Sequence, residues 1–143
     1  MTRRRCRNVW DVVRLGIDVA APSAAAWDCL VDLDYWPQWG PTVRAARLDD
    51  GTRRLSAGAT GAVQTALGAW LRFEVEEWIE TQHQASWSWR VAGIPATAHR
   101  VTSTTPSRCR VEMGVPLWGL PYLSVAAVAL RRIRQMCENT TSS

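Results

Sequence analysis

The chain has 143 residues, 47% apolar and 21% charged, which suits one globular domain with its own core and excludes a disordered or fibrous chain. Its net charge is +4, from 17 Arg, no Lys and 13 acids. Arg3, Arg4, Arg5 and Arg7 carry that excess, so the remaining body is neutral, which argues against a nucleic-acid reader with a basic face. We assign residues 1–8 to a basic flexible tail, 9–139 to a single domain and 140–143 to a disordered tail. The arginines of the first tail suit a solvated terminus, or transient contact with phosphate or an anionic membrane. Cys6, Cys29, Cys109 and Cys137 show no C-x-x-C spacing, so they read as reduced, mostly buried thiols of a cytoplasmic protein. Asp11, Arg14 and Asp18 interrupt any signal-like apolar segment. The longest apolar run, Leu117 to Leu130, is about 14 residues, short of the roughly 20 that span a bilayer, so no integral membrane segment is expected.

In chain order, Val9, Val13, Leu15, Ile17 and Val19 share one face of a first strand, with Arg14 and Asp18 opposite. Asp11 breaks that parity, so the strand begins in earnest near Val13. Pro22 opens a short helix with an apolar stripe of Ala26, Trp27, Leu30 and Val31, ending near Asp34. Residues 35–41, YWPQWGP, predict a stiff loop that caps something, with Trp36 pushed out of helical conformation by Pro37. Strands are then expected at Val43–Leu48, Ala62–Ala66, Ala69–Glu80, Gln84–Val91, Ala96–Ser103 and Arg108–Val115, with a turn at Gly93-Ile94-Pro95. The parity of the Ala69–Glu80 run fails at its end. Either a bulge resets the register or Glu77 faces the interior.

Residues 117–138, LWGLPYLSVAAVALRRIRQMCE, organise the rest. Pro116 and Pro121 mark the start, and Leu123, Ala126, Ala127, Leu130, Ile133 and Cys137 form one apolar stripe. A helix of roughly 18 residues would be about 27 Å long. The pattern predicts an α+β protein, in which a sheet of about six or seven antiparallel strands wraps one long C-terminal helix, with two short helices after the first strand.

The segments Ile17–Trp27 (IDVAAPSAAAW), Leu33–Trp39 (LDYWPQW) and Trp87–Gly93 (WSWRVAG), with the terminal amphipathic helix, resemble the START-like (SRPBCC) helix-grip superfamily, in particular its polyketide cyclase/dehydrase and lipid-transport group. The resemblance covers most of residues 13–138. It implies a curved antiparallel sheet gripping the long helix over an apolar cavity. It implies no particular activity, since members bind lipids, hormones or polyketide intermediates and only some are enzymes.

Of the two histidines, His83 lies in a polar turn, whereas His99 shares strand parity with Val101 and faces inward. An inward histidine is either a general base or ligand donor, or a core histidine satisfied by its surroundings. An inward Glu77 would complete an acid–base pair with His99. No metal-ligand spacing, phosphate-binding glycine loop or nucleophile elbow occurs, so neither a metal nor a cofactor is expected. Nine Trp against one Phe imply a wide apolar interior. The expected ligand contacts are Phe73, Trp87, Trp89, Thr97, His99, Met113 and Leu123 within, and Trp36, Trp39, Trp118 and Tyr122 at a mouth. A core filled by the same tryptophans is the competing arrangement. The leading reading is a protein that binds a hydrophobic small molecule, lipid or polyketide-like. The alternatives are a polyketide cyclase or dehydratase acting through His99 and Glu77, and a non-catalytic interaction module presenting Trp36 and Trp39.

Overall fold

Alternation of apolar and polar side chains drives seven segments into strands in the computed structural model, which describes residues 13–141. These are β1 (Val13–Val19), β2 (Val43–Leu48), β3 (Thr60–Thr65), β4 (Trp70–Glu80), β5 (Gln84–Val91), β6 (Ile94–Thr105) and β7 (Arg108–Val115). They pair antiparallel in one sheet of order β1-β7-β6-β5-β4-β3-β2. Register shifts in β2, β4 and β6 bend the strands, as bulges do, and curl the sheet toward one face. Cys6, Val9 and the basic tail lie outside the described residues.

Three helices cover the concave face. α1 (Ser23–Val31) follows Pro22 and buries Ala26, Cys29, Leu30 and Val31. A 3-10 turn, Leu33–Tyr35, leads into α2 (Trp36–Trp39). α3 (Leu123–Thr141) packs on β1 and β7 on one side and on α1 and α2 on the other. Its buried stripe is Ala126, Ala129, Leu130, Ile133 and Cys137. Cys29, Cys109 and Cys137 are buried and form no disulfide among the described residues, and the Cys29 and Cys137 sulfurs lie 3.6 Å apart in a hydrogen bond. No helix among the described residues is long and apolar enough to cross a membrane.

Four local expectations change. Trp36 is helical, with φ −56° and ψ −43°. Pro37 falls in the first turn of α2, where its missing N–H removes no bond, so the bias against a helical residue before proline is overridden by burial of the Trp36 ring. Residues 117–122 form 3-10 turns broken at Gly119, with Pro121 inside, so the long helix starts only at Leu123. At the other end it continues to Thr141, so residues 140 and 141, assigned to a tail, are helical. The β5–β6 turn lies at Ala92 and Gly93, with φ 54° and 77°, so Ile94 and Pro95 already belong to β6.

That turn has positive φ at both central residues, the two-residue hairpin type that favours Asn-Gly. An alanine in the left-handed region is disfavoured by roughly 1–2 kcal/mol. Ala92→Asn should therefore raise stability by up to about 1 kcal/mol, read as an increase in the urea midpoint. An unchanged midpoint would mean that strand pairing alone sets this turn.

The up-and-down strand order gathers one set of connections at one end of the sheet: the β3–β4 turn, the β5–β6 turn, the start of β2 and the passage from β7 into α3. The site described next lies there.

Candidate functional site

Strand parity aims Phe73, Trp87, Trp89, Thr97, His99 and Met113 at the concave face, and the structure divides them between two regions. The middle of the fold is filled by rings. Trp36 stacks on Trp87 at 5.7 Å with planes 11° apart, and Trp87 stacks on His99 at 4.0 Å. Trp89 meets Trp36, Phe73 and Trp87 edge-on at 5.4–5.6 Å. Between these rings and Met113 only about 30 Å³ remains, room for a water or two and too little for an organic ligand.

Toward the gathered turns the rings stop and a cavity of about 410 Å³ opens. Val43, Val63, Leu71, Trp89, Val91 and Val115 form its walls, and Leu67 and Pro116 lie at its rim. Among the described residues, no charged side chain lines it. Its polar groups are few. Thr42 Oγ1 and the Tyr122 hydroxyl share a hydrogen bond of 3.1 Å. Thr97 Oγ1 accepts from Trp89 Nε1 at 3.2 Å and lies 3.1 Å from His99 Nε2, so Thr97 joins the cavity to the aromatic stack. A volume of about 300–1,000 Å³, apolar walls and a few convergent polar groups are the usual features of small-molecule sites.

Residues 11–139 match the family described as polyketide cyclase/dehydrase and lipid transport. The chain belongs to the polyketide cyclase/dehydrase and lipid-transport family. No curated protein matches the sequence. Among solved structures, the hypothetical protein jhp0584 from Helicobacter pylori superposes with TM-score 0.73 at 13% identity, over 96% of this chain and 97% of that one. Protein Ms6760 from Mycobacterium smegmatis superposes with TM-score 0.56 at 19% identity, over 92% and 94%. The di-domain ARO/CYC StfQ from the steffimycin biosynthetic pathway superposes with TM-score 0.65 at 13% identity, over 92% of this chain and 46% of that one. At these identities the neighbours establish the helix-grip fold.

Within this family member, three of the expected ligand contacts, Trp89, Thr97 and Tyr122, line the large cavity. Trp36, Trp39, Trp87, His99 and Met113 border only the small space. Phe73 and Leu123 pack into the core and line neither cavity. The side chain of Trp118 lies outside what the structure describes. The alternation of β4 and β5 already placed Leu71 and Val91 on the face of Phe73 and Trp89. Leu67, in the β3–β4 turn, and Pro116, after β7, carry no such signal.

Trp36 and Trp39 are not at a mouth, and they present no contact surface, being 1% and 7% exposed. The last four carbonyls of a helix need outside donors. For α1, Asp32 N–H meets the Asp28 carbonyl and Leu55 N–H meets that of Val31. The two between are met by indoles, Trp39 Nε1 on Cys29 O at 2.7 Å and Trp36 Nε1 on Leu30 O at 2.9 Å. The WPQW segment thus closes the end of α1 and plugs the core.

Glu77 does not join His99. The register shift between Val75 and Glu77 pairs Glu77 with Ser88 on the outer face and Trp78 with Trp87 on the inner one. Trp78 then packs edge-on against Trp27 of α1 at 5.4 Å, which accounts for the reset. His83 is exposed in the β4–β5 turn. No group of three or more His, Cys, Asp or Glu able to hold a metal gathers among the described residues.

His99 is 2% exposed, and burial lowers its pKa to about 3. The Trp87 backbone opposes this weakly, and Nδ1 has no hydrogen bond of normal geometry. A neutral imidazole so placed holds Thr97 and resists taking a proton. In the unfolded chain the same ring titrates near 6.5. Between those values the unfolded state binds more protons, so this contribution to stability is complete above pH 6.5 and is lost as pH falls toward 3. Between pH 6.5 and 4.5 the wild type should lose up to about 1.4 kcal/mol per pH unit more than His99→Phe does, measured by urea unfolding. Parallel pH profiles would show that His99 is solvated.

Proposed function

We propose that the protein binds a neutral, hydrophobic small molecule, lipid or polyketide-like, in the cavity at the gathered turns, and acts as a carrier of that molecule. A cavity of about 410 Å³ with no charged group among its described lining residues carries this reading. An ionised ligand would lose its hydration there without gaining a counter-charge, so the cavity selects for neutral ligands. Thr42, Thr97 and Tyr122 offer hydroxyls that orient a carbonyl or hydroxyl oxygen. Family membership supports the same class of ligand. A cytoplasmic setting, where thiols stay reduced, fits the thiol pair Cys29 and Cys137, which lie within hydrogen-bonding distance without a disulfide.

A cyclase or dehydratase needs a proton acceptor beside the substrate. The expected acceptor, His99, is set behind Trp89 and Thr97 with a pKa of about 3, and Glu77 is on the opposite face. Both features favour carriage over catalysis. The test is native mass spectrometry of protein purified gently from its own host, with solvent extraction of any adduct. A discrete apolar adduct is expected. A clean unliganded mass, with no uptake from a set of lipids and aromatic polyketides, would overturn the reading. Turnover of a polyketide chain that is lost in His99→Phe would favour the cyclase instead.

A further inference from the structure

The cavity mouth carries apolar side chains held out into solvent. Leu67, at the tip of the β3–β4 turn, is 97% exposed and also lines the cavity. Trp70 is 43% exposed at the start of β4, and Ile94 is 52% exposed at the start of β6. All three belong to the connections gathered at one end of the sheet. The core leaves no other described Leu or Trp comparably exposed.

The described segments that carry them hold arginines. Residues 40–48, 62–72, 89–97 and 113–123, which frame the mouth, include Arg44, Arg47, Arg72 and Arg90 and no Asp or Glu. Arg72 is paired with Asp49 and Arg90 with Glu76. Arg44 and Arg47 make no ion pair among the described residues, although Arg47 feels the field of Asp49. Both reach the exposed turn. The Arg47 guanidinium lies 4.4 Å over the Trp70 ring, and a β-carbon on Gly68 would lie 3.8 Å from Arg44 Nη1.

An aliphatic tip, a half-exposed indole and two guanidiniums without an ion-pair partner among the described residues match the layers of a lipid surface. The apolar tip suits the acyl boundary, the indole suits the headgroup level, and the guanidiniums suit anionic phosphates. An acidic protein partner would use the same cations but gives no reason for a lone leucine at the mouth of an apolar cavity. We infer that this end of the molecule docks on an anionic phospholipid bilayer, with Leu67 and Trp70 in the interface and Arg44 and Arg47 on lipid phosphates. Docking would place the cavity mouth against the membrane, so that an apolar ligand passes between them without crossing water. That consequence rests on the proposed ligand binding, whereas docking itself is measured without ligand, so the two fail separately.

The test is co-sedimentation of the full chain with vesicles of phosphatidylcholine, alone or mixed with phosphatidylglycerol. Wild type should bind the mixed vesicles on the order of tenfold more tightly than the neutral ones, and less tightly as salt rises. Arg44→Glu/Arg47→Glu should remove that preference, and Trp70→Ser should weaken binding to the mixed vesicles roughly tenfold. Both variants leave the cavity lining intact, so their uptake of an apolar fluorescent probe should match wild type. The N-terminal arginines are a rival source of the same attraction, so a full-length variant with Arg3, Arg4, Arg5 and Arg7 all changed to Ser is run beside them. Retention of the preference in that variant supports the inference. Its loss there, with Arg44→Glu/Arg47→Glu behaving as wild type, overturns the inference. So does equal binding to both vesicle types, or binding only to an acidic protein.

Discussion

Trp36→Ala should destabilise the protein by roughly 3–5 kcal/mol, the cost of emptying an aromatic site in a packed core. The ring is 1% exposed and lies against Phe73, Trp87 and Trp89, so the space it leaves cannot reach solvent and must collapse or stay empty. The change also leaves the Leu30 carbonyl at the end of α1 without its donor, at about 1–3 kcal/mol for a buried group. Against a total stability of about 5–15 kcal/mol, such a loss takes a large share. Trp36→Phe keeps a ring in place and loses mainly the hydrogen bond, so it should cost less than half as much. Urea unfolding of the pair separates the two contributions. A cost below about 1 kcal/mol for Trp36→Ala would mean that α2 rests loosely on the core as a lid, and would return the WPQW segment to the mouth of the site.

The second large effect concerns the cavity. Ala96→Trp should weaken binding of an apolar ligand by at least tenfold, or about 1.4 kcal/mol. Ala96 is half-buried and faces the open space, so an indole there occupies volume the ligand needs without forcing packed atoms apart. Fold stability should therefore stay within about 1 kcal/mol of wild type. Val91→Trp, on the same wall, is an independent block. Undiminished uptake by both variants would place the ligand elsewhere, and the carrier reading would fall with its cavity.

Local pattern carries far in this chain because a half-buried strand writes its burial into every second residue. β2, β5 and β7 have the boundaries that alternation predicts, and β4 departs by one residue. The departures come where a distant group competes with a local preference. Pro37 disfavours a helical Trp36, and the buried ring overrules it. Glu77 is equally consistent with either face until Trp78 finds Trp27 on α1. The β5–β6 turn defies expectation because Ala92 accepts a conformation that glycine or asparagine would normally fill.

The candidate site was legible in part for the same reason. Parity identifies which strand residues face inward, so it puts Trp89 and Thr97 on an interior surface, where they line the cavity with Tyr122. Parity cannot say where along the strands the rings stop. That depends on how Trp36, Trp39 and Trp87 share the middle of the fold, which is settled by contacts between residues dozens of positions apart. By itself the sequence pattern determined an α+β sheet wrapping one long amphipathic helix, a neutral body, and an interior rich in indole, since each is a property of periodicity or composition, and the family resemblance implied the helix-grip fold. Only the tertiary structure decided that the indoles close the core and the end of α1, that His99 is a shielded neutral ring, and that the remaining space opens at the gathered turns. Those outcomes follow from packing volume and desolvation, and neither quantity exists until distant segments meet.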